Sequence, residues 1–343
     1  MVTPTRHASS PDSQKHVLIL GTGGTIAGAA SSGTSAIYVS GTIGVDHLVQ
    51  ACAGVEKLAK LSFRSVLNKD SADITLHDWQ WIATEVTSAL ADSSIDAVVI
   101  THGTDTMEET AFFLDLVIPN GKPVVMVGAM RPSTSLSPDG PMNLFDAVAV
   151  AADGKSAERG VLVVMNNDIF LARHVTKSHT GKLNTFVSPV CGPAGQVIYG
   201  QPKYFWAPDC VGPCFASVLN TRDPIPFPLV AVWHCHAQAD HALADIQIDS
   251  GKISGLVIAG FGDGNIPASL RPLLKHARNK GIVVVRSTRV AGGLVTPDYN
   301  ALDSTYDLIG ARALNPQKAR ILLMLALMQT RDIPSIQGMF DSY

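Results

Sequence analysis

The stretch AVVITHGTDTMEETAFFLDLV, Ala97 to Val117, changes its period in the middle. Its first four residues are apolar and mostly β-branched, the pattern of a strand covered on both faces. Its second half brings Ala111, Phe112 and Leu114 to helical spacing. Between them lies the polar turn Thr101-His102-Gly103-Thr104-Asp105. Thr106 or Asp105 is placed to cap the helix, and Glu108 and Glu109 sit in its first turn. A buried strand that runs through a polar turn into a helix is half of a β-α-β unit.

The same rhythm extends in both directions. Strands are expected at His16–Leu20, Pro123–Val127 and Gly160–Val164, with a helix over Asn143–Ala152. From about Trp206 to Pro228 the pattern stops, and prolines stand at 208, 213, 224, 226 and 228, which reads as a linker. Strands resume near Leu229–Trp233, Gly255–Ala259 and Ile282–Arg286, with a helix over Leu270–Lys280. A last helix starts at Asn315 as N-cap with Pro316 in its first turn, and covers Lys318–Gln329. The fold class is therefore α/β in two domains. A larger N-terminal domain over 16–205 has a parallel sheet with flavodoxin-like or Rossmann-like layering. The linker covers 206–228, and a smaller α/β domain covers 229–343. The Ser-, Pro- and Thr-rich residues 1–15 read as a disordered lead-in.

Composition narrows the function. The 343 residues are 46% apolar and 16% charged, with a net charge of −3 from 26 basic and 29 acidic side chains. That excludes an intrinsically disordered chain and speaks against a nucleic-acid binder, which needs a basic face. No run of 18 apolar residues is present, so no membrane span is expected. Five cysteines, Cys52, Cys191, Cys210, Cys214 and Cys235, form no regular framework. Together with the lack of an apolar leader, this predicts a reducing, cytoplasmic location, or a periplasmic one if a leader has been removed. Cys210-x3-Cys214 with His234, Cys235, His236 and His241 imitates a metal cluster. Strand alternation, however, sends Cys235 to the face opposite its two histidines.

Ligands of an open parallel sheet bind beyond the carboxyl ends of its strands. The first strand leads into Gly21-Thr22-Gly23-Gly24-Thr25-Ile26-Ala27. This is not the G-x-G-x-x-G spacing of dinucleotide binding, and neither a phosphate-loop lysine nor a ribose-binding acid follows. The turn instead presents a threonine hydroxyl beside glycines whose N–H groups could stabilise an oxyanion. The second strand ends in Thr104 and Asp105, a hydroxyl and a carboxylate side by side. Lys177, in the polar segment after the fourth strand, is a candidate to take a proton from a threonine.

These stretches together resemble the bacterial L-asparaginase family. The resemblance rests on GTGGTIAG at 21–28, ITHGTDTMEETAFFLDL at 100–116 and VGAMRPSTSLSPDGPMNLFDAV at 127–148. GVLVVMNN at 160–167, VTK at 175–177 and LNPQKARILLMLAL at 314–327 extend it over nearly the whole chain after residue 15. The resemblance implies hydrolysis of L-asparagine, with or without comparable action on L-glutamine, through an acyl-enzyme and without metal or organic cofactor. It implies Thr25 as nucleophile and Tyr38 as the lid tyrosine that orients it. Thr104 would position water, Asp105 would bind the substrate amino group, and Lys177 would relay the proton. Gly24 would border the substrate, Ser71 would hold its α-carboxylate, and the Ala129 carbonyl would receive the leaving nitrogen. Asn265 would reach the site from a neighbouring subunit, which requires an oligomer, and the resemblance implies a homotetramer built as a dimer of dimers.

Two positions depart from the family pattern. Ala72 stands where a glutamine is usual, and Asn300 where a glutamate is usual, with Asp298 two residues earlier. Both family residues would contact the substrate ammonium, so a weaker grip on asparagine or an altered asparagine-to-glutamine preference is expected. Asp139 and Asn143, in the SPDGPMN turn, read as structural, and His102 reads either as a catalytic base beside Thr104 or as a histidine packed at the strand end.

Overall fold

A computed structural model describes residues 14–30, 38–39, 44–208, 215–219, 225–239 and 242–343. Five strands, β1 (His16–Gly23), β2 (Lys60–Lys69), β3 (Ala97–Thr101), β4 (Val124–Val127) and β5 (Val161–Met165), run parallel in the order β2-β1-β3-β4-β5. Beyond β5 the sheet continues antiparallel through β6 (Asp168–Leu171), β7 (Gly195–Ile198) and β8 (Gln201–Tyr204). The parallel part has the flavodoxin-like order, so the expected layering holds. Its switch point lies between β1 and β3, where chain segments leave the sheet in opposite directions and open a crevice.

The sequence pattern explains the layers. Leu18, Leu20, Val98, Ile100, Val124, Met126, Val161 and Val163 point to one face, where helices α1 (Leu76–Ala91) and α2 (Met107–Val117) cover them. Their neighbours Val17, Ile19, Ala97, Val99, Val125, Val127, Leu162 and Val164 point to the other face, packed by α3 (Gly140–Ala152). Strands buried on both faces are apolar at every position, which is why they stand out in the sequence.

A second, wholly parallel sheet has the order β9-β10-β11-β12: Val230–His234, Gly255–Gly260, Val283–Thr288 and Ile309–Gly310. Helices α4 (Ala242–Asp249) and α5 (Arg271–Asn279) cover one face. Helix α6 (Pro316–Ala326) covers the other, and α7 (Ile333–Asp341) closes the chain. Ile321, Leu322, Leu323 and Leu325 of α6 are fully buried in the same apolar cluster as α1 and α2. Each such side chain contributes about 1.5–3 kcal/mol, so α6 ties the two sheets into one core.

Several elements differ from the sequence expectation. β2 was not expected: Lys60, Arg64 and Lys69 give it a polar reading, because it is an edge strand with much of its length half-exposed. α1 also went unpredicted, although Thr75 and Asp78 form a reciprocal capping box at its start. The last helix is α7, not the one after Asn315. α6 does begin as expected, with the Asn315 side chain accepting from the Lys318 N–H at 3.0 Å. Thr106 is the N-cap residue of α2, but its hydroxyl makes no capping bond and donates instead to the Ser71 carbonyl at 2.8 Å. Within the proline-rich segment, Phe215 is fully buried and its N–H donates to Leu116 O at 2.7 Å, while Phe227 packs edge-on against Phe113. These parts of the segment expected to be a linker are pinned to the first sheet's helices. No helix among the described residues is long and apolar enough to cross a membrane.

Candidate active site

The turns after β1 and β3 touch backbone to backbone at the switch point. A Cβ added to Gly24 would fall 2.3 Å from Gly103 N, and one added to Gly103 would fall 2.6 Å from Ser71 Oγ. Gly24 also has φ +80°, in the region that favours glycine. Its own N–H donates to Lys69 O at 3.0 Å. The oxyanion donor expected from glycine N–H groups is therefore not available at this position, and Gly24 serves close approach instead. Thr25 and Thr104 each follow this contact by one residue, and both are buried at 6% exposure. Gly24→Ala is expected to force the turns apart and to cost about 10²-fold in turnover. Steady-state kinetics on the folded variant checks this, and native-like turnover would contradict it.

Lys177 is far from this turn in sequence, yet its Nζ donates to Thr104 Oγ1 at 2.9 Å and to Asp105 Oδ1 at 2.6 Å. The antiparallel pairing of Thr176–Lys177 with Phe186–Val187 presents the lysine there. The two ends of the ion pair differ: the Lys177 side chain is 17% exposed and that of Asp105 61%. The carboxylate thus meets solvent, or a ligand, while the ammonium lies behind it.

Ser71 joins the two strands. Its Oγ accepts from the Asp105 N–H at 3.2 Å and its carbonyl accepts from Thr106. A hydroxyl that accepts one bond keeps its own proton to donate. Ala129 is buried in the turn after β4. Asp139 accepts from the N–H groups of Met130 and Arg131, both at 2.9 Å, and the Asn143 amide donates to Gly128 O at 3.0 Å. Ser133 donates through Oγ to Gly28 O at 2.8 Å, which locks this turn to the one bearing Thr25. The structural reading of Asp139 and Asn143 holds, because they shape the turn that carries Ala129. His102 is fully buried, its Nδ1 2.7 Å from Gly103 O, and burial pushes its pKa down to about 4. It is a neutral, packed ring at neutral pH.

Other expected residues lie elsewhere. Tyr38 is placed by its backbone pairing with Ala30; its side chain and residues 31–37 and 40–43 lie outside the described residues. Ala72 is exposed, its N–H donating to Asp70 Oδ1 at 3.0 Å. Asn265 and Asn300 are exposed on loops of the second sheet, Asn300 with φ 55°. Arg286 gathers these loops: it donates to Asp263 O and Thr296 O at 2.9 and 2.8 Å, and through two nitrogens to the Asp303 carboxylate at 2.6 and 2.7 Å. No sequence signal singled out Arg286, which looked like one more strand residue. Cys235 is buried and His234 and His236 are exposed, as alternation requires, while Cys210, Cys214 and His241 lie outside the described residues.

A doubly wound sheet with two threonine turns in contact at its switch point, and a lysine bridging a hydroxyl and a carboxylate, defines an α/β site suited to acyl transfer. Comparison with known proteins specifies the class. The profile described as asparaginase, N-terminal matches residues 16–210, and that of the glutaminase/asparaginase C-terminal domain matches 229–340. L-asparaginase 2 of Escherichia coli is 43% identical over 332 residues, 96% of this chain and 93% of that protein. Glutaminase-asparaginase of Acinetobacter glutaminasificans is 39% identical, over 96% of this chain and 100% of that one. The crystal structure of a probable cytoplasmic L-asparaginase from Campylobacter jejuni superposes with a TM-score of 0.89 at 38% identity, covering 96% of this chain and 100% of that one. The chain belongs to the asparaginase family.

Proposed function

We propose that this chain hydrolyses L-asparagine to L-aspartate and ammonia. The observation that carries the reading is the Lys177 bridge between Thr104 Oγ1 and Asp105, set against the Thr25 turn at the switch point. The names of its relatives support the substrate. In this reading Thr25 Oγ attacks the side-chain amide carbon. The C–N bond breaks as the nitrogen takes a proton and leaves as ammonia, and water then cleaves the Thr25 ester. An ammonium arriving at Asp105 competes with Lys177 for the same carboxylate. Substrate binding thereby leaves the lysine to Thr104, the hydroxyl that positions the water and to which it is already hydrogen-bonded. Ser71, with a proton to donate, takes the α-carboxylate, and the Ala129 carbonyl receives the departing nitrogen.

The test is ammonia release from L-asparagine and L-glutamine at equal concentrations. Release from neither would overturn the proposal. Comparable release from both would establish the glutaminase-asparaginase reading, which the Acinetobacter relative's name favours. Tyr38, as lid residue, and Asn265 and Asn300, as contributions from a neighbouring subunit, complete the reading; the last two require an oligomer, for which the family supplies a homotetramer of paired dimers. Light scattering after size exclusion tests that assembly. A cytoplasmic location agrees with the odd cysteine count and with the name of the Campylobacter relative.

The substitutions at 72 and 300 carry their own expectation. Each charge-assisted hydrogen bond to an ammonium is worth about 1.5–3 kcal/mol, so KM for asparagine is expected well above the low micromolar range. Ala72→Gln with Asn300→Glu is expected to lower KM about tenfold or more with little change in kcat. A native KM in the low micromolar range, or no change in the double variant, would refute this.

A further inference from the structure

The helix that joins the two sheets also grips both halves of the lysine–threonine pair from behind. Lys318, in the first turn of α6, is buried at 1% exposure and its Nζ donates to the carbonyl of Val175, two residues before Lys177. Its neighbour Gln317 donates through Nε2 to Glu108 Oε1 at 2.7 Å. Glu108, buried at 6%, lies in the first turn of α2, four residues after Thr104. One helix turn of the second domain thus holds the segment that presents Lys177 and the helix that follows the Thr104-Asp105 turn.

We propose that Lys318 and Gln317 are positioning residues for the Lys177–Thr104 pair, so that the C-terminal domain sets the proton relay of the N-terminal one. A buried ammonium survives only when paired and hydrogen-bonded. The carboxylates of Glu108, Asp115 and Glu109 face Lys318 and hold its proton against burial, which brings its pKa down to about 8. The ammonium also lies over the Phe112 ring, and His174 is pushed down to about 4 by burial and by the charges of Arg173 and Lys318, hence neutral. Around Lys177 itself the partners are Thr104 and Asp105. Nothing in the hydrolytic chemistry requires a buried lysine at this place. The single described hydrogen bond of its ammonium is spent on the backbone that carries Lys177.

The inference rests on the amidohydrolase reading only for its kinetic test. Lysine side chains are labelled at the ε-carbon, the Lys177 resonance is assigned by its loss in Lys177→Arg, and its titration is followed in native protein, Lys318→Met, Lys318→Arg and Gln317→Leu. Lys318→Met is expected to shift the Lys177 titration and to lower kcat on asparagine about 10- to 100-fold, with KM changed by no more than about threefold. Lys318→Arg, which keeps a charged donor, is expected to restore part of both, and Gln317→Leu to show a smaller effect of the same kind. A native Lys177 titration and a native kcat in Lys318→Met and Gln317→Leu would overturn the proposal. So would a kcat loss that merely tracks the unfolded fraction while the folded fraction titrates as native. If Lys318→Met does not fold, Gln317→Leu decides on the same two readouts. If native protein releases no ammonia, the functional reading fails and the Lys177 titration alone decides the positioning role.

Discussion

Thr25→Ala is expected to lower kcat for asparagine about 10⁴- to 10⁶-fold, the range seen when a nucleophile that works as part of a unit is removed. Thr25 sits one residue past the Gly24–Gly103 contact in a short 3-10 turn, buried at 6% exposure. The turn is locked by Gly28 N–H to Thr25 O at 2.9 Å and by Ser133 to Gly28 O. Removal of one hydroxyl therefore leaves the surrounding geometry in place, and the loss reports chemistry and not unfolding. Thr104→Ala separates the two hydroxyls. If Thr104 serves the water step, its variant still releases one equivalent of ammonia per site in a rapid burst and accumulates acyl-enzyme. A Thr25→Ala protein within tenfold of native, beside an inactive Thr104→Ala without a burst, would make Thr104 the nucleophile.

Arg286→Met is expected to cost about 3–5 kcal/mol of stability, a fall in Tm of about 6–20 °C for a domain of this size class. Arg286 is wholly buried, and its guanidinium makes bidentate bonds to Asp303 as well as bonds to the Asp263 and Thr296 carbonyls. Its removal strands a carboxylate that is only 14% exposed, and it leaves two loop carbonyls without their donor. The pair itself need not be the source of stability, since a buried ion pair is often no better than an apolar one. Arg286→Met with Asp303→Leu is therefore expected to recover much of the loss. Thermal unfolding of the native protein, the single variant and the double variant checks the sign of each step, and an Arg286→Met protein as stable as native would refute the argument. The two loops carry Asn265 and Asn300, so under the proposed roles of these residues the single variant is also expected to raise KM.

How much of this was legible depends on where each signal resides. The buried parallel strands β1, β3, β4 and β5 declared themselves, because a strand covered on both faces must be apolar at every position. α6 declared its start through Asn315 and Pro316, since capping is a local interaction. β2 and α1 did not: an edge strand is only partly buried, and the apolar residues of α1 compete with polar neighbours along one face. The threonine turns were visible because strand ends and glycines are read within a few residues of chain, and the family resemblance assigned their roles.

The sequence by itself determined the α/β class, the two threonine motifs and the family, all of which reside in short contiguous runs whose chemistry is local. Only the tertiary structure decided which side chains meet. Lys177 reaches Thr104 across 73 positions of chain, Lys318 reaches Val175 across 143, and Gln317 reaches Glu108 across 209. No periodicity encodes such contacts. They arise when burial of apolar faces on two sheets brings the segments together, and the polar atoms trapped between them must then find partners.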